Sequence, residues 1–223
     1  MYSAPLIIFG TGSLAKLAHY YLTHEMGCTA LKFTVDADRK DADTICDTPI
    51  ITWDECINEH SQDEIAMHVA IGYRDMQKRQ LIFERARKQG YSLENVISSS
   101  AFIAKTAKIG VNNFIMPGAV IEPGVSLGSN NVVWSNTVIC HDTIIGDHNF
   151  FASNVTIGGE VIIGHRCFFG FSSTVAQQRV IADDVLLAAQ SLLLTDGNSK
   201  RRYQGIPAKA LTGISFETGI CIE

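Results

Sequence analysis

Residues 138–151 read VICHDTIIGDHNFF, which sets His141 beside Asp142 and, one short repeat later, Asp147 beside His148. Imidazole has an ordinary pKa near ~6.5, so it can take a proton at neutral pH. A carboxylate next to it favours the imidazolium and raises its basicity. Such a pair suits general-base removal of a proton from an amine or hydroxyl as it attacks a carbonyl, a reaction that also needs a donor for the developing oxyanion. Adjacent residues of a strand point to opposite faces, so Asp142 can serve His141 directly only where the pair sits at a corner. A third histidine, His165, follows further along. The spacing of the three sets no convergent ligand geometry and no cysteine joins them, so no metal site is expected.

A second motif stands near the N-terminus. Gly10-Thr11-Gly12-Ser13-Leu14-Ala15 follows an apolar run and precedes a helical pattern, as a phosphate-binding turn requires. Asp36 closes the next apolar run, where an acidic residue can accept from a ribose hydroxyl. Taken by itself this suggests NAD. Against that, the βα pattern ends near residue 95, before a second mononucleotide-binding half. A turn that merely packs helix on strand is the other reading of these glycines.

The elements that must carry these residues fall into two rhythms. Pro5–Phe9, Leu31–Val35 and Ile65–Ile71 read as buried parallel strands, and Ser13 to about His24 and Met76–Gln89 read as helices. This predicts an α/β half-Rossmann domain over residues 1–95. From Ile103 onward every sixth residue through Leu193 is large and apolar, sixteen in succession, and eleven of these are followed by Gly or Ala. A strict period of six fits neither helix nor sandwich. It predicts an all-β solenoid over 96–223 in which three short sides close one eighteen-residue turn. None of the three histidines occupies the inward position, so all are expected to face outward.

Composition excludes several classes. The formal net charge is −5, the 18 Lys and Arg are scattered, and the longest basic cluster is Lys200-Arg201-Arg202, so a nucleic-acid partner is not expected. No apolar run reaches the ~20 residues of a membrane helix, and the first residues lack the basic segment of a signal peptide. The six cysteines, including Cys221, form no CxxC or paired pattern, which fits a reducing cytoplasm.

The [LIV]-[GA]-x-x-x-x array resembles the left-handed parallel β-helix of hexapeptide-repeat acyltransferases. From GTGSLA through the repeats to Tyr203-Gln204-Gly205-Ile206-Pro207-Ala208-Lys209, the chain is similar to bacterial sugar acetyltransferases of the sialic-acid and bacillosamine type. The resemblance implies a homotrimer with acetyl-CoA as co-substrate. The implied acceptor is a UDP- or dTDP-linked amino sugar used in bacterial surface glycans such as lipopolysaccharide. It makes His141 the general base with Asp142 as its acidic partner. Gly12, Ser13, Leu14, Asp36, Ala37 and Gly72 would hold the nucleotide, with Tyr73 stacking on a pyrimidine. Gly159, Phe171 and Ala189 would contact coenzyme A, with Phe150 and His148 also on the cofactor side.

The chain also departs from that pattern. GTGSLA replaces a Ser-Gly-His-Gly turn, and Phe150 stands where some relatives carry a second histidine toward the acetyl carbonyl. His148, two residues earlier, is either a substitute on the cofactor side or structural. Gly158-Gly159 could equally be a tight corner. Two other functions fit the same features: O-acetylation of a free sugar such as sialic acid, and a non-catalytic trimeric scaffold that binds a nucleotide sugar.

Overall fold

The computed structural model describes residues 6–28 and 30–211. Pro5, residues 212–223 of the expected second domain, and Cys221 lie outside the described residues. Contacts divide the chain into two compact units. The first comprises the residues up to Gly72 and Leu81–Ser99; the second takes Tyr73–Gln80 and continues from Ser100. A single cut near residue 95 therefore misses a strap, Tyr73–Gln80, whose contacts lie in the second unit.

The first unit is a sheet in the order β3-β4-β2-β1-β5-β6, with β1 Leu6–Phe9, β2 Ala30–Val35, β3 Thr44–Ile45, β4 Thr48–Thr52, β5 Ala66–Val69 and β6 Ser92–Leu93. All neighbours run parallel except the β3–β4 hairpin. β1 and β5 are buried along their full length, as continuous apolar runs in a covered parallel sheet must be. Helix α1 covers Ser13–Tyr20 and continues as a π-turn through Glu25, helix α2 covers Trp53–Glu59, and helix α3 covers Met76–Gln89. The start of α2 is fixed by a capping box between Thr52 and Glu55, a signal the periodicity reading missed. Ile7, Met67, Val69, Ile82, Phe83 and Ala86 form the centre of the core.

The second unit is a left-handed parallel β-helix of two-residue strands. The first face stacks Phe114–Ile115, Val132–Val133, Phe150–Phe151, Phe168–Phe169 and Leu186–Leu187. The second runs from Phe102–Ile103 to Leu192–Leu193, and the third from Lys108–Ile109 to Val180–Ile181. Partners are one eighteen-residue turn apart, as in Ile121↔Ile139 and Ile145↔Ile163. From Ile115 to Leu193 the periodic positions are buried. Phe151 and Phe169 stack with parallel rings 4.8 Å apart, which is the spacing of the strands themselves. At the far end Arg202–Gly205 pairs with Leu186–Leu187, and Ala208–Ala210 folds back on it as an antiparallel hairpin that caps the repeat edge.

Corners make this possible. From Ile109 to Leu187 the third residue after each inward aliphatic adopts a left-handed conformation, with φ of +57° at Asn112, +57° at Asp142, +66° at His148 and +59° at Glu160. Short polar residues tolerate that region and β-branched ones do not. The corner amides are then satisfied by side-chain ladders. Asn113, Asn131 and Asn149 each accept through Oδ1 from the backbone N–H one turn on, at 2.8 Å.

The strap is pinned to this lattice by a cation. Arg79 is 1% exposed; its guanidinium donates to the carbonyls of Asn130, His148 and Asn149 and to Asn130 Oδ1. Asn112 Nδ2 donates to the same Oδ1, so Asn130 must present its Nδ2 to His148 Nδ1, 2.9 Å away. His148 thus accepts at Nδ1 as a neutral ring. Burial first, and the Arg79 charge next, push its pKa down from 6.5 to about 4. Burial likewise brings the Arg79 guanidinium down to about 9. His148, expected to face outward, is 3% exposed, because its corner lies under the strap.

The linkage has a definite sign. Between pH 6.5 and about 4 the unfolded chain binds a proton that folded His148 refuses, so stability falls as pH drops through that window. The full loss is about 3 kcal/mol. Urea unfolding at pH 7 and pH 4.5 is expected to show most of that loss in the wild type and a smaller one in His148→Asn.

Candidate active site

Ile139 points into the prism, and the chain then turns through Cys140, His141 and Asp142 toward the third face. The left-handed φ of Asp142 brings its carboxylate to the same side as the preceding ring, so His141 Nδ1 lies 3.0 Å from Asp142 Oδ2. The corner that the sequence demanded for this pairing is present. A carboxylate accepts, so Nδ1 carries the proton and Nε2 keeps its lone pair for a substrate. The Asp142 hydrogen bond, followed by the charges of Asp142, Glu122 and Glu160, raises the His141 pKa above its usual value. Both side chains are more than half exposed.

Two glycines make room for the pair. A Cβ on Gly124, which has φ +78°, would collide with Asp142 Oδ1 from one turn below. A Cβ on Gly159, one turn above His141, would lie 2.6 Å from His141 Nε2 and 2.8 Å from Cε1. Gly159 therefore gives the imidazole its room, since any side chain there would strike the ring. Gly158 is excluded from carrying a side chain by backbone, its Cβ falling 2.5 Å from the Gln177 nitrogen. Neither Gly158 nor Gly159 adopts a positive φ, so space and not a special turn explains them.

The other residues expected near a cofactor are dispersed. Phe171 and Ala189 stack one turn apart and are exposed, but on the corner after the first face, whereas His141 and Gly159 follow the second. His165 lies on the corner after the third face, where its Nδ1 accepts from the Asp147 amide at 2.9 Å. Phe150 is 2% exposed, stacked on Phe168 at 5.3 Å and covered by Tyr73 of the strap at 4.7 Å. Tyr73, expected to stack on a pyrimidine, thus leans on Phe150 and Phe168 and remains partly exposed.

In the first unit, β1, β2 and β5 end at one edge of the sheet, and β1 lies between the other two, which is the switch point where open α/β sheets take ligands. Gly10 requires its glycine: φ is +117° and a Cβ would sit 3.0 Å from the Ala70 carbonyl oxygen. Gly12 and Ser13 are exposed at the start of α1. Leu14 turns its side chain inward, leaving only its amide to a ligand. Ala37 is exposed just beyond Asp36, and Gly72 is partly buried beyond β5. Asp36 is engaged by Arg85, whose Nη2 lies 2.7 Å from Oδ1 while its guanidinium packs 5.0 Å from the Phe9 ring centre and 4.7 Å from that of Trp53. Sequence reading missed Arg85 because it stands among other charges on an amphipathic helix. Among the described residues no group of His, Cys, Asp and Glu could hold a metal ion, and no helix is long and apolar enough to cross a membrane.

The fold class is now defined: a hexapeptide-repeat left-handed β-helix preceded by a small α/β unit. Residues 106–141 and 142–177 match the bacterial transferase hexapeptide (six repeats) family model. No curated protein matches the chain by sequence. Among solved structures, it is similar to the acetyltransferase domain of PglB from Neisseria gonorrhoeae FA1090. The two are 22% identical, with a TM-score of 0.84 over 94% of this chain and 100% of that one. It is also similar to a variant of perosamine N-acetyltransferase from Caulobacter crescentus in complex with CoA and GDP-perosamine, at 23% identity and TM-score 0.86 over 95% and 99% of the chains. WeeI from Acinetobacter baumannii AYE is a third, at 17% identity and TM-score 0.83 over 94% and 100%.

Gly159→Ala tests the geometry of the site. The fold should persist, since the clash is with a movable ring, but the ring must swing and its bond to Asp142 should break. NMR titration is expected to show the His141 pKa falling back toward the usual histidine value, with the far-ultraviolet spectrum unchanged.

Proposed function

We propose that the protein is a cytoplasmic, acetyl-CoA-dependent N-acetyltransferase acting on a nucleotide-linked amino-deoxy sugar, with His141 as general base. The observation that carries this reading is the exposed His141–Asp142 pair, in which the carboxylate holds Nδ1 and leaves the Nε2 lone pair to a substrate. The ring is more than half exposed, and Gly159 adds no side chain beside it, so Nε2 is accessible to a substrate amine. Two of the similar structures are described as acetyltransferases, and one holds CoA with GDP-perosamine. Gly12, Ser13, Asp36, Ala37 and Gly72 stand at the sheet edge suited to a nucleotide, with the Leu14 amide beside them.

In this reading His141 Nε2 takes a proton from the sugar amine as its nitrogen attacks the thioester carbonyl. Asp142 holds the ring's orientation and stabilises the imidazolium that forms. The carbon–sulfur bond breaks as the amide forms, and the coenzyme leaves as the thiol once its sulfur gains a proton. Thiol release from acetyl-CoA across UDP-, dTDP- and GDP-linked amino sugars is the direct assay. His141→Asn should lower kcat by about 10²–10⁴-fold. A variant within twofold of wild type sinks the mechanism. Nucleotide binding without any thiol release would favour the scaffold reading, and transfer to free sialic acid uninhibited by UDP or dTDP would favour O-acetylation.

The homotrimer belongs to the same proposal. On the third face Ile144, Ile162 and Val180 stack in register, each close to half exposed, as an apolar stripe on the prism. Burying such a stripe between copies removes it from water. Ile162→Asp is expected to convert a trimer to monomer in light scattering, with a wild-type monomer overturning the assembly.

A further inference from the structure

We propose that Glu122 is a positioning residue for the base, an inference that rests on reading His141 as that base. Glu122 follows inward-facing Ile121 one turn below the site, and its side chain is half-buried. Its Oε2 accepts the backbone N–H of His141 at 2.8 Å. The amide it captures belongs to the residue that must turn the corner. His141 therefore enters the left-handed turn with its amide fixed from below and its ring fixed by Asp142 from the side. Other corner amides in the prism are held by ladder residues one turn away, such as Ser129 N–H by Asp147 and His165 N–H by Asp183. Those groups lie eighteen residues on, whereas at His141 the carboxylate comes from nineteen residues back in the turn below, which sets its charge beside the ring.

The groups facing His141 are Asp142 on its own corner, Glu122 from the turn below and Glu160 from the turn above, the last shared with Gln178 Nε2 at 3.4 Å. Cys140 precedes it, its thiol pushed up by burial and by Glu122. Among the described residues, three carboxylates and no cation thus border the base. Removing the charge of Glu122 lowers the His141 pKa, so the acidic limb of the pH–rate profile moves to lower pH. Removing the hydrogen bond as well frees the corner.

The test compares Glu122→Gln, which keeps an oxygen acceptor without the charge, with Glu122→Ala, which keeps neither. Glu160→Gln serves as the charge-only control. Glu122→Ala should lower kcat about tenfold, the scale of a misplaced catalytic group, with KM for both substrates within twofold. Glu122→Gln should recover most of that rate while its acidic limb still shifts. NMR titration of His141 in the same variants should show the lowered pKa independently of turnover. An unchanged His141 titration and kcat in Glu122→Ala overturns the proposal, and so does Glu122→Gln as slow as Glu122→Ala. A moved titration with unchanged kcat also overturns it, since the charge alone then accounts for the shift, whereas full activity in His141→Asn is what counts against His141 as the base. Circular dichroism checks that each variant is folded.

Discussion

From Asn112 to Gln190 every sixth residue of the prism bends the chain through a left-handed conformation, and nearly everything else about the second unit depends on that. The turn sits three places after each inward aliphatic, at Asn112, Asn130, Asp142, His148, Glu160 and Arg166 alike. Because L-residues enter this region at a cost, the positions go to glycine or to polar residues whose side chains are used elsewhere. The corner also cancels the alternation of a strand. Two successive side chains then share one side, which is why His141 and Asp142 meet at 3.0 Å.

The same lattice gives two histidines opposite properties. His141 stands more than half exposed at its corner, among carboxylates that favour its charged form. His148 occupies the next corner beneath a buried arginine, and both burial and that charge keep it neutral. One is free to move a proton in solvent; the other is spent on aligning Asn130 and the strap. Environment, not residue type, separates a candidate base from a structural acceptor.

The first unit shows a comparable division. Its glycine turn needs Gly10 for a close approach to Ala70, while Gly12 and Ser13 remain open at the helix start. Asp36 already holds the Arg85 guanidinium against Phe9 and Trp53. In the proposed function, a ribose hydroxyl at this edge therefore meets an ion pair and not a lone carboxylate. The sheet edge thus presents a cation as well as an acid.

The period of six, the inward column and the existence of an α/β unit were legible in the sequence, because each comes from local repetition of apolar residues that any compact fold must bury. The glycine turn and the His141-Asp142 pair were legible as residue types in a suggestive order. What the tertiary structure decided was direction and cover. Burial of His148 and Phe150 follows from the strap Tyr73–Gln80, which lies about seventy residues away in the chain. The separation of Phe171 and Ala189 from His141 follows from which of three corners each one takes. The contacts of Glu122 with His141 and of Arg85 with Asp36 join residues 19 and 49 positions apart. Periodicity records what a residue buries; only packing across turns and between helix and sheet records what its polar atoms touch.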